Sequence, residues 1–284
     1  MRSVIPLLPV VAPPNTRRVV VVVVVASQPI QTTSGGGRFL MSLSAIDILL
    51  VIALIGFGAF VQAGLGFGLG IVTTPFLILI DAKLVPGVVL SMVLLIGTLT
   101  ILKDRRLIFM PELRWIWLGR IPGTAAGAFL IAHISVPMLS AILGLSVLIA
   151  VVLSLRTPHV ARTCGRLTAV GAISGFMAST TAMGGPPVAL IYQNRTQGHE
   201  RINLAADMAL GTLIALVALT LVGRFGLAEL TLSVMLVPAG LVGFFLAVHL
   251  LPYLSAVALR RALLVLCSIA GALALVKGIN DFLA

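Results

Sequence analysis

Apolar runs long enough to cross a bilayer recur along most of this chain. They occupy residues 85–102, 116–132, 138–155, 204–222, 230–251 and 263–276, and another begins at Leu43. A bilayer's hydrocarbon core takes roughly 20 apolar helical residues to span. Lipid cannot hydrogen-bond to the backbone, so such runs fold as helices that satisfy their own N–H and C=O groups, or as closed barrels. These runs are continuous and do not alternate apolar with polar, so the expected class is all-α and polytopic. Composition agrees: 60% of residues are hydrophobic and 10% are charged, against roughly 25% charged in soluble domains. The net charge of +11 is then read as Lys and Arg in cytoplasmic loops. No nucleic-acid partner is expected.

Two of the apolar segments are broken. The first reads Gly64-Leu65-Gly66-Phe67-Gly68-Leu69-Gly70-Ile71-Val72-Thr73-Thr74-Pro75, and the second Ser179-Thr180-Thr181-Ala182-Met183-Gly184-Gly185-Pro186-Pro187. Backbone that leaves the helix at membrane depth must be buried in protein or line a cavity. Paired Gly/Pro breaks in corresponding halves point to a transporter's binding site. Close packing of Gly-rich helices is the bland alternative. The candidate substrate-binding residues are Gly64, Gly66, Gly68, Gly70, Thr73, Thr74 and Pro75 in the first break. In the second they are Ser179, Thr180, Thr181, Gly184, Gly185, Pro186 and Pro187. A half-helix that starts at such a break offers free backbone N–H groups and a positive dipole end, which suits a small oxyanion.

The breaks belong to an internal repeat. One constant spacing relates Phe60 to Phe176, Gly68 to Gly184, Met92 to Met208, Pro122 to Pro238, Gly127 to Gly243, Phe129 to Phe245 and His133 to His249. The expected layout is a first membrane repeat over 42–158 and a second over 159–284. Each holds one broken or re-entrant segment and three ordinary spans, for about eight full spans. If the broken segment crosses once, the repeats run parallel; if it enters and returns, the second is inverted. Inversion puts Lys103, Arg105, Arg106, Arg114, Arg156, Arg162, Arg166, Arg195, Arg201, Arg260 and Arg261 on one side. It is favoured slightly by the positive-inside rule.

Ionisable residues within the spans are sparse. Asp207 is a candidate proton-coupling carboxylate, with a helix cap or an interfacial position as the alternative. His133 and His249 are read as interfacial anchors at span ends. Arg120, close after Trp115 and Trp117, is read as an interfacial, snorkelling arginine, with anion attraction as the sharper alternative. Gln62 is a candidate polar lining residue. Cys164 and Cys267 have neither disulfide nor zinc spacing, and no metal or cofactor is expected. Residues 1–41, rich in proline and carrying the valine run 19–25, are read as a disordered N-terminal extension, with Met41 as an alternative start. A signal peptide running from Arg17-Arg18 to Ala26 is the other reading of that stretch.

The order of these motifs resembles the TauE/SafE (TSUP) family of sulfite exporters. A span ends in a Gly-rich break before Pro75, a Gly-Gly-Pro break follows at Gly184-Gly185-Pro186, and a Pro-x-x-x-x-Gly element follows each. The latter stands as Pro122-Gly123-Thr124-Ala125-Ala126-Gly127 and Pro238-Ala239-Gly240-Leu241-Val242-Gly243. The resemblance covers about residues 43–283. It implies a multi-pass inner-membrane permease for sulfite, an organosulfonate or a related sulfur-containing anion, possible proton coupling included, and no enzyme activity.

Two other classes remain open. Ala172-Ile173-Ser174-Gly175 faintly matches an intramembrane serine protease motif, with His249 as the base. A passive anion channel is the other, although no charged ring of the kind that lines channels is evident. No nucleotide-binding loop of the G-x-x-x-x-G-K-[ST] type occurs, so an ATP-driven pump within this chain is not expected.

Overall fold

The computed structural model describes residues 44–81, 84–104, 108, 110–134, 162–192 and 200–250, with scattered positions between 138 and 152 and between 253 and 276. The expected spans 138–155 and 263–276, the 158/159 repeat boundary and the N-terminal extension lie largely or wholly outside the described residues. Among the described residues the ordered structure is helical, and no strand occurs. Eight helices are defined: α1 Ala45–Leu65, α2 Leu69–Ile80, α3 Gly87–Asp104, α4 Met110–His133, α5 Cys164–Thr181, α6 Gly185–Tyr192, α7 Glu200–Leu221 and α8 Leu227–Leu250. By length and composition, α1, α8 and the Arg201–Leu221 stretch of α7 are able to cross a membrane.

Local chemistry sets the helix ends. Ser44 caps α1 in a capping box: its hydroxyl accepts from the Asp47 N–H at 3.1 Å, and Asp47 accepts from the Ser44 N–H at 3.2 Å. That satisfies two of the donors a helix start leaves open and sets a carboxylate against the positive dipole end. At the far end Gly66 stops α1 with φ +82°, a left-handed conformation that glycine adopts without steric cost.

The outward faces carry large apolar side chains, including Ile46, Leu49, Leu118, Ile121, Phe129 and Leu221. A soluble protein would cover them; here hydrocarbon takes the place of water. The inward stripes carry small residues. On α4, Ile116, Gly119, Arg120, Gly123, Thr124 and Gly127 are buried at helical spacing. Cβ atoms at Gly119 and Gly123 would run into the carbonyls of Thr168 and Ala172 on α5, and one at Gly171 into Ile116 of α4. Without glycine there, α4 and α5 could not approach so closely. The α1–α8 interface is built alike, with Gly243 against Gly56 and Ala59.

Contacts fix the directions of the helices. Gly58 lies against Thr73, and Gly68 against Val61, so α2 turns back along α1 as a re-entrant hairpin. Gly56 meets Ala239 while Gly243 meets Ala59, so α1 and α8 run parallel. Gly87 meets Glu229 and Gly240 meets Met92 and Ile96, so α3 runs with α8. Gly87 also meets Phe225 while Gly97 meets Ala205 and Ala209, so α7 runs against α3. Arg120 bonds Asp207 and Arg224 bonds Ala132, so α4 runs with α7. Gly171 meets Ile116 and Gly127 meets Phe176, so α5 runs with α4.

Helices α1, α3 and α8 therefore point one way, and α4, α5 and α7 the other. At the repeat spacing, α1 corresponds to α5, α3 to α7 and α4 to α8, and each is antiparallel to its mate. The repeats are inverted. The packing obeys the same symmetry: α4 on α5 mirrors α8 on α1, and α3 on α8 mirrors α7 on α4.

Candidate functional site

The two breaks meet tip to tip. Gly66 and Ala182 stand at the repeat spacing, and both take left-handed backbone, at φ +82° and +58°. Each caps the first half of its broken helix: Gly66 N–H donates to Gln62 O at 2.8 Å, and Ala182 N–H to Ala178 O at 2.9 Å. A left-handed alanine costs roughly 1–2 kcal/mol, so the second tip holds a conformation its own sequence does not favour. The tips interlock, with Gly70 against the Ala182 carbonyl and Gly185 against the Phe67 ring.

A small cavity lies at this junction. Gly68 and Gly70 line it from the first break, Gly184 and Gly185 from the second, and Gln62, Arg120, Met208 and Thr212 from the surrounding helices. Gln62 Nε2 donates to Val93 O at 2.9 Å, which ties α1 to α3 beside the cavity.

The candidate residues divide. Gly68, Gly70, Gly184 and Gly185 line the cavity; Gly64 lies within α1, and Gly66 forms the cap. Most of the hydroxyls turn back on their own helices. Thr73 donates to Leu69 O at 2.8 Å, Ser179 to Gly175 O at 3.1 Å, Thr180 to Phe176 O at 2.8 Å and Thr181 to Met177 O at 2.7 Å. The buried Thr74 hydroxyl has no hydrogen-bond partner, and it does not line the cavity. Pro75 is buried within α2. Pro186 and Pro187 occupy the first turn of α6, where a missing N–H costs little.

Arg120 departs from its expected interfacial place. It is fully buried, and its Nη1 pairs with Asp207 Oδ2 at 2.5 Å and donates to the Asp207 carbonyl at 2.9 Å. Asp207 is equally buried, deep in α7, so it is neither a cap nor an interfacial residue. The Trp117 indole N–H stands near this carboxylate without completing a hydrogen bond to it. The guanidinium fits because Gly211 and Gly184 leave it room: a Cβ at either position would strike it. Its Nε and Nη2 have no hydrogen-bond partner. One signal in the sequence did point here. Arg120 falls on the Ile116-Gly123-Thr124-Gly127 stripe, the face that packs inward. Met208 and Thr212, missed from sequence, stand one turn apart on the face of α7 that lines the cavity.

Ser174 and His249 are not brought together as a catalytic pair. Ser174 donates to Gly184 O within the buried site, whereas His249 bonds Phe245 O at 2.7 Å on an exposed turn of α8. Its mate His133 does the same with Phe129 O at 2.8 Å.

Comparison with curated proteins and with solved structures gave no match. The family model described as sulfite exporter TauE/SafE does match, over residues 49–274, and so takes in both breaks, the cavity and the Arg120–Asp207 pair. With inverted helical repeats meeting at two breaks, the chain belongs to the sulfite exporter TauE/SafE family, a family of membrane permeases.

Proposed function

We propose that this protein is a multi-pass permease of the cell (inner) membrane that moves a small sulfur-containing oxyanion, sulfite or an organosulfonate. The observation that carries this reading is the cavity closed by both break tips, with a buried guanidinium in its wall. Inverted repeats whose broken helices meet at one central site suit alternating access by rocking of the two halves. A buried cation with unused donors attracts an anion strongly where water is excluded. Asp207 is the proposed coupling group. Its charged neighbour is Arg120, from α4, and Trp117 is its other polar neighbour. A proton taken up there would release the guanidinium from its internal partner.

The test is flux into proteoliposomes of sulfite, sulfate, thiosulfate, sulfonates and carboxylates, with and without a proton gradient. Sulfur oxyanions are expected to move, with Arg120→Gln reducing flux at least tenfold. A panel in which no anion moves overturns the reading, as do channel-like rates that ignore the gradient.

A further inference from the structure

Arg120 uses one side of its guanidinium and leaves the other open. Nη1 serves the backbone carbonyl and Oδ2 of Asp207, while Nε and Nη2 remain without partners although fully buried. Those two nitrogens form the planar fork that receives two oxygens of one oxyanion in parallel N–H···O bonds. Nη2 is packed at Gly184, immediately before the first turn of α6, where the helix dipole adds to the attraction, although Pro186 and Pro187 carry no N–H to donate. The cavity lies there as well, lined by Arg120, Gly184 and Gly185.

The inverted repeat duplicates the glycine cradle but not the charge. Gly68 answers Gly184, but Leu236 stands where Arg120 would be repeated, Ser91 where Asp207 would be, and Leu95 where Gly211 would be. Arginine, aspartate and the glycine that makes room for the guanidinium are replaced together. The site thus has one fork and one resident carboxylate.

We infer that the Nε–Nη2 edge of Arg120 is the oxyanion fork of the carrier and that Asp207, its resident counter-ion, selects singly charged over doubly charged oxyanions. This rests on the permease reading and deepens it. Arg120 and the ionised Asp207 sum to zero before substrate arrives. A monoanion adds one uncompensated charge to a buried site; a dianion adds two, and the cost of burying charge rises steeply with its magnitude. The Asp207 carboxylate also repels both ligands across the same guanidinium, the dianion twice as strongly.

The experiment measures binding of methanesulfonate and of sulfate to the full chain in lipid nanodiscs by calorimetry at one fixed pH. Wild type is expected to bind methanesulfonate at least tenfold more tightly than sulfate. Asp207→Asn keeps the shape, removes the charge, and is expected to shift that ratio at least tenfold towards sulfate. Arg120→Lys keeps a charge without the fork and is expected to weaken both ligands at least tenfold. Wild type that binds sulfate as well as methanesulfonate overturns charge selection without needing any variant. So does an Asp207→Asn variant whose ratio is unchanged. An Arg120→Lys variant with wild-type affinity overturns the fork. If wild type binds neither anion and the flux panel is also silent, the permease reading itself fails. If flux persists and only the ratio is unmoved, this inference alone falls.

Discussion

At the scale of single residues, the break tips show how closely backbone conformation and packing constrain each position. Gly66 holds φ +82°, and a Cβ there would also press on Leu204 at 3.1 Å and on the Arg201 carbonyl. Gly66→Ala is therefore expected to lower stability by about 2 kcal/mol, from left-handed strain and overpacking together. Gly165→Ala is the control: no atom beyond its own stretch of helix lies within 4 Å of the added methyl, so the change should stabilise the protein slightly, by about 0.4–1 kcal/mol. Thermal unfolding in one detergent, read side by side, checks the pair. The glycine pattern of the first break was visible in sequence, but its division of labour was not. Gly66 caps, Gly68 and Gly70 line the cavity, and Gly64 stays helical. Nor did the hydroxyls follow from their spelling. Thr73, Ser179, Thr180 and Thr181 each have a carbonyl one turn back with a spare lone pair, and inside a membrane that near acceptor takes the hydroxyl's hydrogen bond.

Among the elements, the α4–α5 contact rests on alternating glycines that let two backbones touch. A methyl at Gly123 would meet the Ala172 carbonyl, and one at Gly243 would meet Gly56 across the symmetry-related α1–α8 contact. Gly123→Ala and Gly243→Ala are each expected to cost about 1–3 kcal/mol, measured as a lowered unfolding midpoint. A neutral outcome at both would show that the backbones do not approach as described. Glycine serves as a packing residue along α4, α5 and α8. The breaks are a different case, because their glycines face a cavity as well as a neighbour. The spacing of the small residues puts each stripe on one helix face, but spacing does not tell which face meets a helix and which meets space.

For the whole molecule, helix direction predicts sidedness. Lys103 ends α3, whereas Arg114, Arg162, Arg166 and Arg201 stand at or just before the starts of α4, α5 and α7; all these termini lie at one end of the bundle. Arg224 follows α7 at the opposite end. By the positive-inside rule the first end is cytoplasmic. Single cysteines replacing the exposed Lys103, Arg114 and Arg166, in a background lacking Cys164 and Cys267, should be protected from an impermeant maleimide in whole cells. A cysteine at Arg224 should react. Labelling of both groups from one side would overturn the inverted arrangement.

Much of this architecture follows from the chain's chemistry one segment at a time. Lipid forces the apolar runs into helices, and glycine and proline set where those helices stop. The constant spacing between mates discloses the duplication, because each of these properties depends on neighbours along the chain. The inversion was only weakly legible, since loop charges separate the two arrangements by a few residues. It became definite through contacts such as Gly97 with Ala205 and Gly58 with Thr73. Arg120 is the clearest case of what required the folded molecule. A lone arginine near two tryptophans has an interface as its cheapest home, and only a carboxylate brought in from another helix, with Gly211 and Gly184 making room, offsets the cost of burying it.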